Sequence, residues 1–150
     1  MVEFQLGEVI VKLHPEWAPI AVGRIKELTA DSFWDECRAF RVLPNFVVQL
    51  GINGNPQKQH KWKHNIKDET SVKASNTRGT VTFAMAGPNT RTTQIFFNKV
   101  NNSRLDKENF APFGEVIRYD FRCHVYFIIV KLLAVPSPFY DPSSVIVEWM

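Results

Sequence analysis

The sequence predicts a mostly β fold, a closed antiparallel β-barrel with one flanking helix. Short runs of β-branched and aromatic residues alternate with turn residues along most of the chain, and one segment repeats its apolar residues at helical spacing. Several short strands favour a barrel, because closure leaves no exposed sheet edge. At 150 residues, of which 45% are hydrophobic, the chain has the size of one domain with a single packed core.

The first elements in chain order are a hairpin and the helix. Residues 4–13 combine β-branched residues with a central Gly7, which predicts two short strands joined by a tight turn. Pro19 suits the first position of a helix, because its fixed φ and missing N–H cost nothing there. The apolar residues after it recur at helical spacing, so we expect the helix to end near Ala30.

The later elements are strands separated by turns and one basic stretch. Predicted strand runs occupy residues 38–43, 46–51, 79–86, 95–97 and 113–117. Residues 57–78 carry an excess of Lys and Arg and few apolar anchors. This stretch predicts a mobile surface loop that attracts acidic partners, with an effect that weakens as salt is added.

Charge and composition exclude several classes of function. The net charge is only +3, and the basic stretch holds a single aromatic residue, Trp62, so we expect no nucleic-acid partner. The longest apolar run, residues 125–135, contains Lys131 and is too short to cross a membrane. His60 and His64 lack further ligands at metal-site spacing, so no metal is expected. Two isolated cysteines and a start without a secretory signal predict a cytoplasmic protein, expected as a monomer.

Two polar side chains stand out within an apolar strand run. Residues 40–49 hold Arg41 and Gln49 among apolar residues, and half-buried polar groups need partners. Two interpretations are open: Arg41 reaches a backbone carbonyl and Gln49 caps a strand, or both belong to a site. Residues 84–97 join small residues to a Gly-Pro-Asn turn, which leaves room for another group against the strand.

The two segments together resemble the cyclophilins, the β-barrel peptidyl-prolyl cis-trans isomerases. The similarity follows family motifs in order along residues 4–117, and their ordered occurrence makes the resemblance specific. The matching motifs are FRVLPNFVVQLG at residues 40–51, NTRGTV at 76–81, AMAGPNTRTTQIF at 84–96, Leu105-Asp106, and FGEV at 113–116.

The resemblance implies an enzyme that rotates X–Pro peptide bonds and thereby assists protein folding. It places Arg41 on the catalytic arginine and Gln49 on a glutamine that lines the pocket. Gln49 can also hold the arginine in place, so both are expected to be catalytic residues. It implies proline-containing polypeptides as partners and no cofactor. The residues that it assigns to substrate binding are Phe46, Val47, Ala84, Met85, Ala86, Gln94, Phe96, Leu105 and Phe110.

The chain departs from the family at the rim of the implied pocket. Met85 replaces a common Asn, Arg104 a common Trp, and Val47 a common Met, while Phe110 or Asn109 stands where a His is common. The altered rim keeps open an alternative function, a module that binds proline-containing segments without turnover. Sensitivity to cyclosporin is doubtful because of Arg104.

The resemblance ends near Ile117. We therefore predict an isomerase core at residues 1–117 and a divergent tail at 118–150. Two alternatives are open for the tail. It leaves the barrel incomplete at the C-terminus, as a truncated, non-functional product would, and exposes an apolar β-rich run. Otherwise residues 144–148 supply a replacement strand.

Overall fold

The computed structural model describes residues 7–119, 129–134 and 144–149. The helices are α1 (Pro19–Ala30), α2 (Pro56–Lys61) and two 3-10 helices, Phe33–Glu36 and Ser103–Glu108. The strands are β1 (Gly7–Leu13), β2 (Cys37–Arg38), β3 (Arg41–Val42), β4 (Val47–Leu50), β5 (Thr80–Phe83), β6 (Ile95–Asn98), β7 (Pro112–Tyr119), β8 (Ile129–Ala134) and β9 (Ser144–Trp149).

The nine strands of the described residues belong to one antiparallel sheet, in the order β2-β8-β9-β1-β7-β5-β6-β4-β3. The two end strands, β2 and β3, are consecutive in the chain, and only residues 39–40 separate them. Within the described residues no backbone ladder joins β2 to β3, so the covalent chain connects the two ends there. The predicted mostly β fold with a flanking helix is confirmed, and hydrogen bonds do not close its barrel at this point.

The C-terminal strands cover the free side of β1. β9 runs antiparallel to β1 with Val147 opposite Val9, and β8 lies between β9 and β2. The replacement strand predicted at residues 144–148 corresponds to β9. β1 therefore has a partner strand on each side, whereas no backbone ladder among the described residues closes the barrel between β2 and β3. The boundary at Ile117 falls within β7 and stays a prediction.

The predicted N-terminal hairpin is wrong in its described part. Residues 7–13 form a single strand, and Gly7 pairs with Trp149 in a ladder instead of forming a turn. The earlier residues of the predicted hairpin, 4–6, lie outside the described part of the chain.

The predicted strand runs are present with shifted ends. Residues 38–43 contribute to two separate strands, β2 and β3, because each pairs with a different neighbour. β5 ends at Phe83, earlier than predicted, and β7 extends to Tyr119.

Helix α1 packs against the inner face of the sheet. It begins at Pro19 as predicted, and Glu69 Oε1 accepts a hydrogen bond from Ala21 N (2.9 Å), which satisfies one of the free amides at the helix start. No helix among the described residues is long and apolar enough for a membrane span. The core cluster joins helix and sheet residues, among them Leu13, Val22, Ile25, Leu28, Trp34, Leu50, Val81, Phe83 and Phe113.

The basic stretch at residues 57–78 is not a plain surface loop. It contains most of α2, and Lys58 Nζ donates to the backbone oxygens of Asp31 and Ser32 (3.0 Å each) at the end of α1. Lys61 Nζ pairs with the Asp31 carboxylate at 2.6 Å. Cations are favoured at a helix C-terminus because its carbonyls carry partial negative charge. Two lysines of the stretch are therefore engaged within the protein.

Candidate active site

Three neighbouring strands bring the predicted catalytic residues together. β3 pairs with β4 so that Arg41 stands opposite Gln49, and β4 pairs with β6 so that Gln49 stands opposite Phe96. Directly opposite residues of antiparallel strands share one face of the sheet. The strand register therefore places these three side chains in one row.

Hydrogen bonds order the polar end of this row. Arg41 Nη1 donates to Gln49 Oε1 at 3.2 Å, and Gln49 Nε2 donates to Gln94 Oε1 at 2.9 Å. Gln49 is buried, whereas Arg41 is exposed. A guanidinium carries five N–H donors, so this bond leaves Arg41 able to donate to a further acceptor.

An apolar cavity of about 140 Å³ lies beside the row. Val47, Phe96 and Leu105 form its buried base, and the Phe110 ring packs edge-on against Phe96 with centroids 5.8 Å apart. The residues that line it are Arg41, Phe46, Val47, Gln49, Ala84, Met85, Phe96, Leu105 and Phe110.

Nine of the predicted site residues thus line one cavity, and the remaining two lie next to it. Gln94 accepts a hydrogen bond from Gln49 of the cavity lining. Ala86 lines an adjoining cavity of about 330 Å³ that shares Met85 and Phe110 with the first. Asp68 and Glu108 also line this second cavity, and the sequence did not single them out.

The rim shows how the departures from the family pattern are accommodated. The Arg104 guanidinium lies over the Phe46 ring, 4.9 Å from its centroid. Phe110 lines both cavities. Asn109 has a left-handed φ of 62° and lines the adjoining cavity.

The sequence did not predict a polar network around the half-buried Asp106, which follows the cavity residue Leu105. Asp106 accepts hydrogen bonds from the Ser75 hydroxyl and from both the backbone and the side chain of Asn76. Burial raises the pKa of Asp106, but these hydrogen bonds lower it by more, and the net pKa lies below its ordinary value of 3.8. Serine, asparagine and aspartate are common near turns for local reasons, so these three residues give no signal of a site in the sequence.

The arrangement defines a class of site. Its described lining contains apolar side chains, one glutamine and one arginine, and includes no hydroxyl, thiol or imidazole that could act as a nucleophile or base. A site of this kind binds a small apolar group and stabilises charge or a lone pair beside it. It suits a reaction in which the bound group changes shape without covalent attack.

The chain belongs to the cyclophilin-type peptidyl-prolyl cis-trans isomerases. The family described as "Cyclophilin type peptidyl-prolyl cis-trans isomerase/CLD" matches residues 1–124. A solved Cryptosporidium parvum cyclophilin-type isomerase, crystallised in the presence of the dipeptide Ala-Pro, shares the fold with a TM-score of 0.62. That similarity covers 78% of this chain and 80% of the other at 20% identity.

Two bacterial isomerases are similar in sequence. The chain is 32% identical over 125 residues to a peptidyl-prolyl cis-trans isomerase of Acinetobacter baylyi, covering 79% of this chain. It is 31% identical over 101 residues to peptidyl-prolyl cis-trans isomerase B of Escherichia coli, covering 67% of this chain. The chain spans 66% and 62% of the lengths of these two relatives.

Proposed function

We propose that this protein is a peptidyl-prolyl cis-trans isomerase whose substrate proline occupies the 140 Å³ cavity. The observation that carries the proposal is the position of Arg41, which lines an apolar cavity and is hydrogen-bonded to the buried Gln49. A fixed cation beside an apolar pocket is the arrangement that prolyl isomerisation needs.

The chemistry follows from the amide bond. Rotation about X–Pro breaks C–N resonance against a barrier of ~18–20 kcal/mol. In the half-rotated state the prolyl nitrogen becomes pyramidal and its lone pair becomes a hydrogen-bond acceptor. A donor aimed at this nitrogen binds the transition state better than either planar isomer and so accelerates rotation.

Each part of the site has a separate task in this mechanism. Arg41 is the proposed donor, because a guanidinium stays charged at any physiological pH. Gln49 holds Arg41, and Gln94 in turn holds Gln49. The apolar base of the cavity, including Phe96 and Leu105, would hold the proline ring and fix the axis of rotation.

We further propose proline-containing polypeptides as the substrates, with the residues before the proline lying along 84–86 as the family resemblance implies. The Cryptosporidium parvum neighbour crystallised with Ala-Pro supports this substrate class. The cytoplasmic location and the monomeric state stay predictions from the sequence.

A protease-coupled isomerisation assay on the full chain tests the proposal. The protease cleaves only the trans form of an Ala-Pro test peptide, so the slow phase reports the cis-to-trans rate. We expect this phase to accelerate in proportion to protein concentration. Saturable peptide binding without acceleration would favour the binding module instead. If the protein neither binds the peptide nor accelerates the slow phase, both functions are rejected.

A further inference from the structure

Three buried asparagine side chains behind the cavity form one hydrogen-bonded chain. Asn102 Nδ2 donates to Asn98 Oδ1 at 2.8 Å, and Asn98 Nδ2 donates to Asn76 Oδ1 at 3.2 Å. Only 0%, 3% and 6% of Asn76, Asn98 and Asn102 are exposed. Because buried amides need partners, the three side chains hold one another in one orientation.

This asparagine chain begins and ends on the two aromatic walls of the cavity. Asn102 Nδ2 also donates to the backbone carbonyl of Phe46 at 3.2 Å. At the other end, Asn76 Nδ2 donates to the backbone carbonyl of Phe110 at 2.7 Å. A continuous path of hydrogen bonds therefore connects the backbone of one wall to that of the other.

The two walls lie outside the strands. Phe46 comes directly before β4, and Phe110 follows the second 3-10 helix. Phe96, by contrast, lies within β6 between two partner strands. Backbone hydrogen bonds hold each wall locally: Lys99 N donates to the Phe46 carbonyl at 2.9 Å, and Phe110 N donates to the Leu105 carbonyl at 3.2 Å. The asparagine side chains add the hydrogen bonds that join one wall to the other.

The asparagine chain is anchored on both an adjacent strand and the second 3-10 helix. Asn76 Oδ1 accepts from the Thr82 hydroxyl on β5 at 2.8 Å. Asn76 Nδ2 also donates to Asp106 Oδ1 at 2.7 Å, next to the cavity residue Leu105. Asn98 Nδ2 lies 3.0 Å from Thr80 Oγ1, also on β5. The chain thus ties both walls to the sheet.

We propose that Asn76, Asn98 and Asn102 are positioning residues that set the spacing between the Phe46 and Phe110 walls and thereby the affinity for the proline ring. The inference rests on the proposed function, since the ring is its substrate. Asn98 gives the sharpest case, because it lies in the middle of the chain and its hydrogen bonds reach neither wall directly. Asn98 also stands opposite Val47 of the cavity base, so its effect on the walls has to be measured at Phe46 and Phe110 themselves.

The test compares Asn98→Ala with Asn53→Ala. Asn53 is a matched control, because it is also a buried asparagine whose amide donates to a backbone carbonyl, that of Phe33, away from the cavity. We expect Asn98→Ala to raise KM and the peptide Kd about three- to tenfold, the size of one or two lost hydrogen bonds. The value of kcat should stay within about twofold, since the Arg41 and Gln49 pair is separate from the asparagine chain. Asn53→Ala should lose stability and keep the parent KM.

A second variant covers the case in which Asn98→Ala does not fold, and a spectroscopic measurement reports on the two walls directly. If Asn98→Ala does not fold, Asn102→Ala removes the bond to Phe46 and is expected to show the same rise in KM. The 13C carbonyl resonances of Phe46 and Phe110 should both shift in Asn98→Ala and stay in place in Asn53→Ala.

The outcomes separate this inference from the proposed function. An active parent in which Asn98→Ala and Asn53→Ala change KM equally, or not at all, overturns the positioning role and leaves the isomerase proposal intact. A parent without activity or peptide binding rejects the isomerase proposal, and the carbonyl resonances then decide alone whether the asparagine chain positions the walls.

Discussion

The two sides of the cavity are held in place by different means. Arg41, Gln49 and Phe96 stand opposite one another on paired strands, so backbone ladders determine their relative positions. Phe46 and Phe110 lie in loops, and asparagine side chains bind their carbonyls. We call the first set the strand-held side and the second pair the loop-held side.

The two sides are proposed to have different tasks, catalysis on the first and binding of the proline ring on the second. The strand-held side carries the donor proposed to act on the transition state, and its geometry changes only if the sheet changes. The loop-held side encloses the ring, and isolated backbone hydrogen bonds together with asparagine side chains hold it instead of a continuous ladder. Substitutions of the polar pair Arg41 and Gln49 should therefore mainly affect kcat, whereas those of Phe46 and Phe110 should mainly affect KM.

The largest effect is expected from Arg41→Ala on the strand-held side. Loss of a donor used chiefly in the transition state should lower kcat/KM about 10²–10³-fold, by analogy with a lost oxyanion-hole donor. Peptide affinity should fall far less. Arg41→Lys should also be impaired, because a flexible ammonium does not reproduce the planar guanidinium. A folded Arg41→Ala variant with the parent kcat/KM would remove Arg41 from the mechanism.

The strand-held side should also be sensitive to backbone crowding at Gly51, directly after β4. Gly51 has φ +106°, and a Cβ there would lie 2.3 Å from the Thr93 carbonyl oxygen and 2.7 Å from Gln94 Cα. Gly51→Ala should therefore lower the free energy of unfolding by at least about 2 kcal/mol, from strain and overpacking. Urea unfolding measures this change.

Gly23→Ala is the control for that prediction. Gly23 lies within α1, and a Cβ at this position would meet nothing within 4 Å. Because Gly is unfavourable inside a helix, this variant should be more stable than the parent by about 0.5–1 kcal/mol. Equal destabilisation by the two substitutions would contradict the steric account of Gly51.

The loop-held side should respond to acid through Asp106. The folded-state pKa of Asp106 lies below 3.8, so its carboxylate contributes stability above that pH and loses it as the pH falls through the folded-state pKa. The free energy of unfolding, measured by urea titration from pH 5 to 2, should fall more steeply for the parent than for Asp106→Asn. Parallel curves would show that Asp106 contributes nothing to acid sensitivity.

The smallest effect is expected at the rim. Arg104→Ala removes a guanidinium lying over the Phe46 ring. An exposed cation–π contact contributes about 0.5–1 kcal/mol, so the variant should raise KM about two- to fivefold and keep kcat. A loss of kcat as large as that of Arg41→Ala would mean that Arg104 takes part in the chemical step as much as Arg41 does. It would contradict the separate roles given to the two sides.

The strand-held side could be predicted from the sequence, whereas the loop-held side could be predicted only in part. Arg41 and Gln49 are polar residues in an apolar run, a local signal that the structure explains by their opposite positions on β3 and β4. Asn76, Asn98 and Asn102 carry no such signal, because asparagine is common in turns. Their hydrogen bonds join residues up to 56 positions apart in sequence, and only the tertiary fold brings them together.

The fold shows the same division. The start of α1 at Pro19 follows from local chemistry and is confirmed. The pairing of Gly7 with Trp149 depends on a strand at the far end of the chain, and the local pattern around Gly7 predicted a turn instead. Strand partners distant in sequence leave little trace in either segment alone, which is also why the role of β9 stayed open between two alternatives.

The most direct test of the isomerase account is exchange spectroscopy on an Ala-Pro peptide with a small amount of the full chain. Uncatalysed exchange takes tens to hundreds of seconds, so cross-peaks between the cis and trans forms within one second require catalysis. The account predicts such cross-peaks with the parent and none with Arg41→Ala at the same concentration. A parent that binds the peptide and produces no cross-peaks would contradict it.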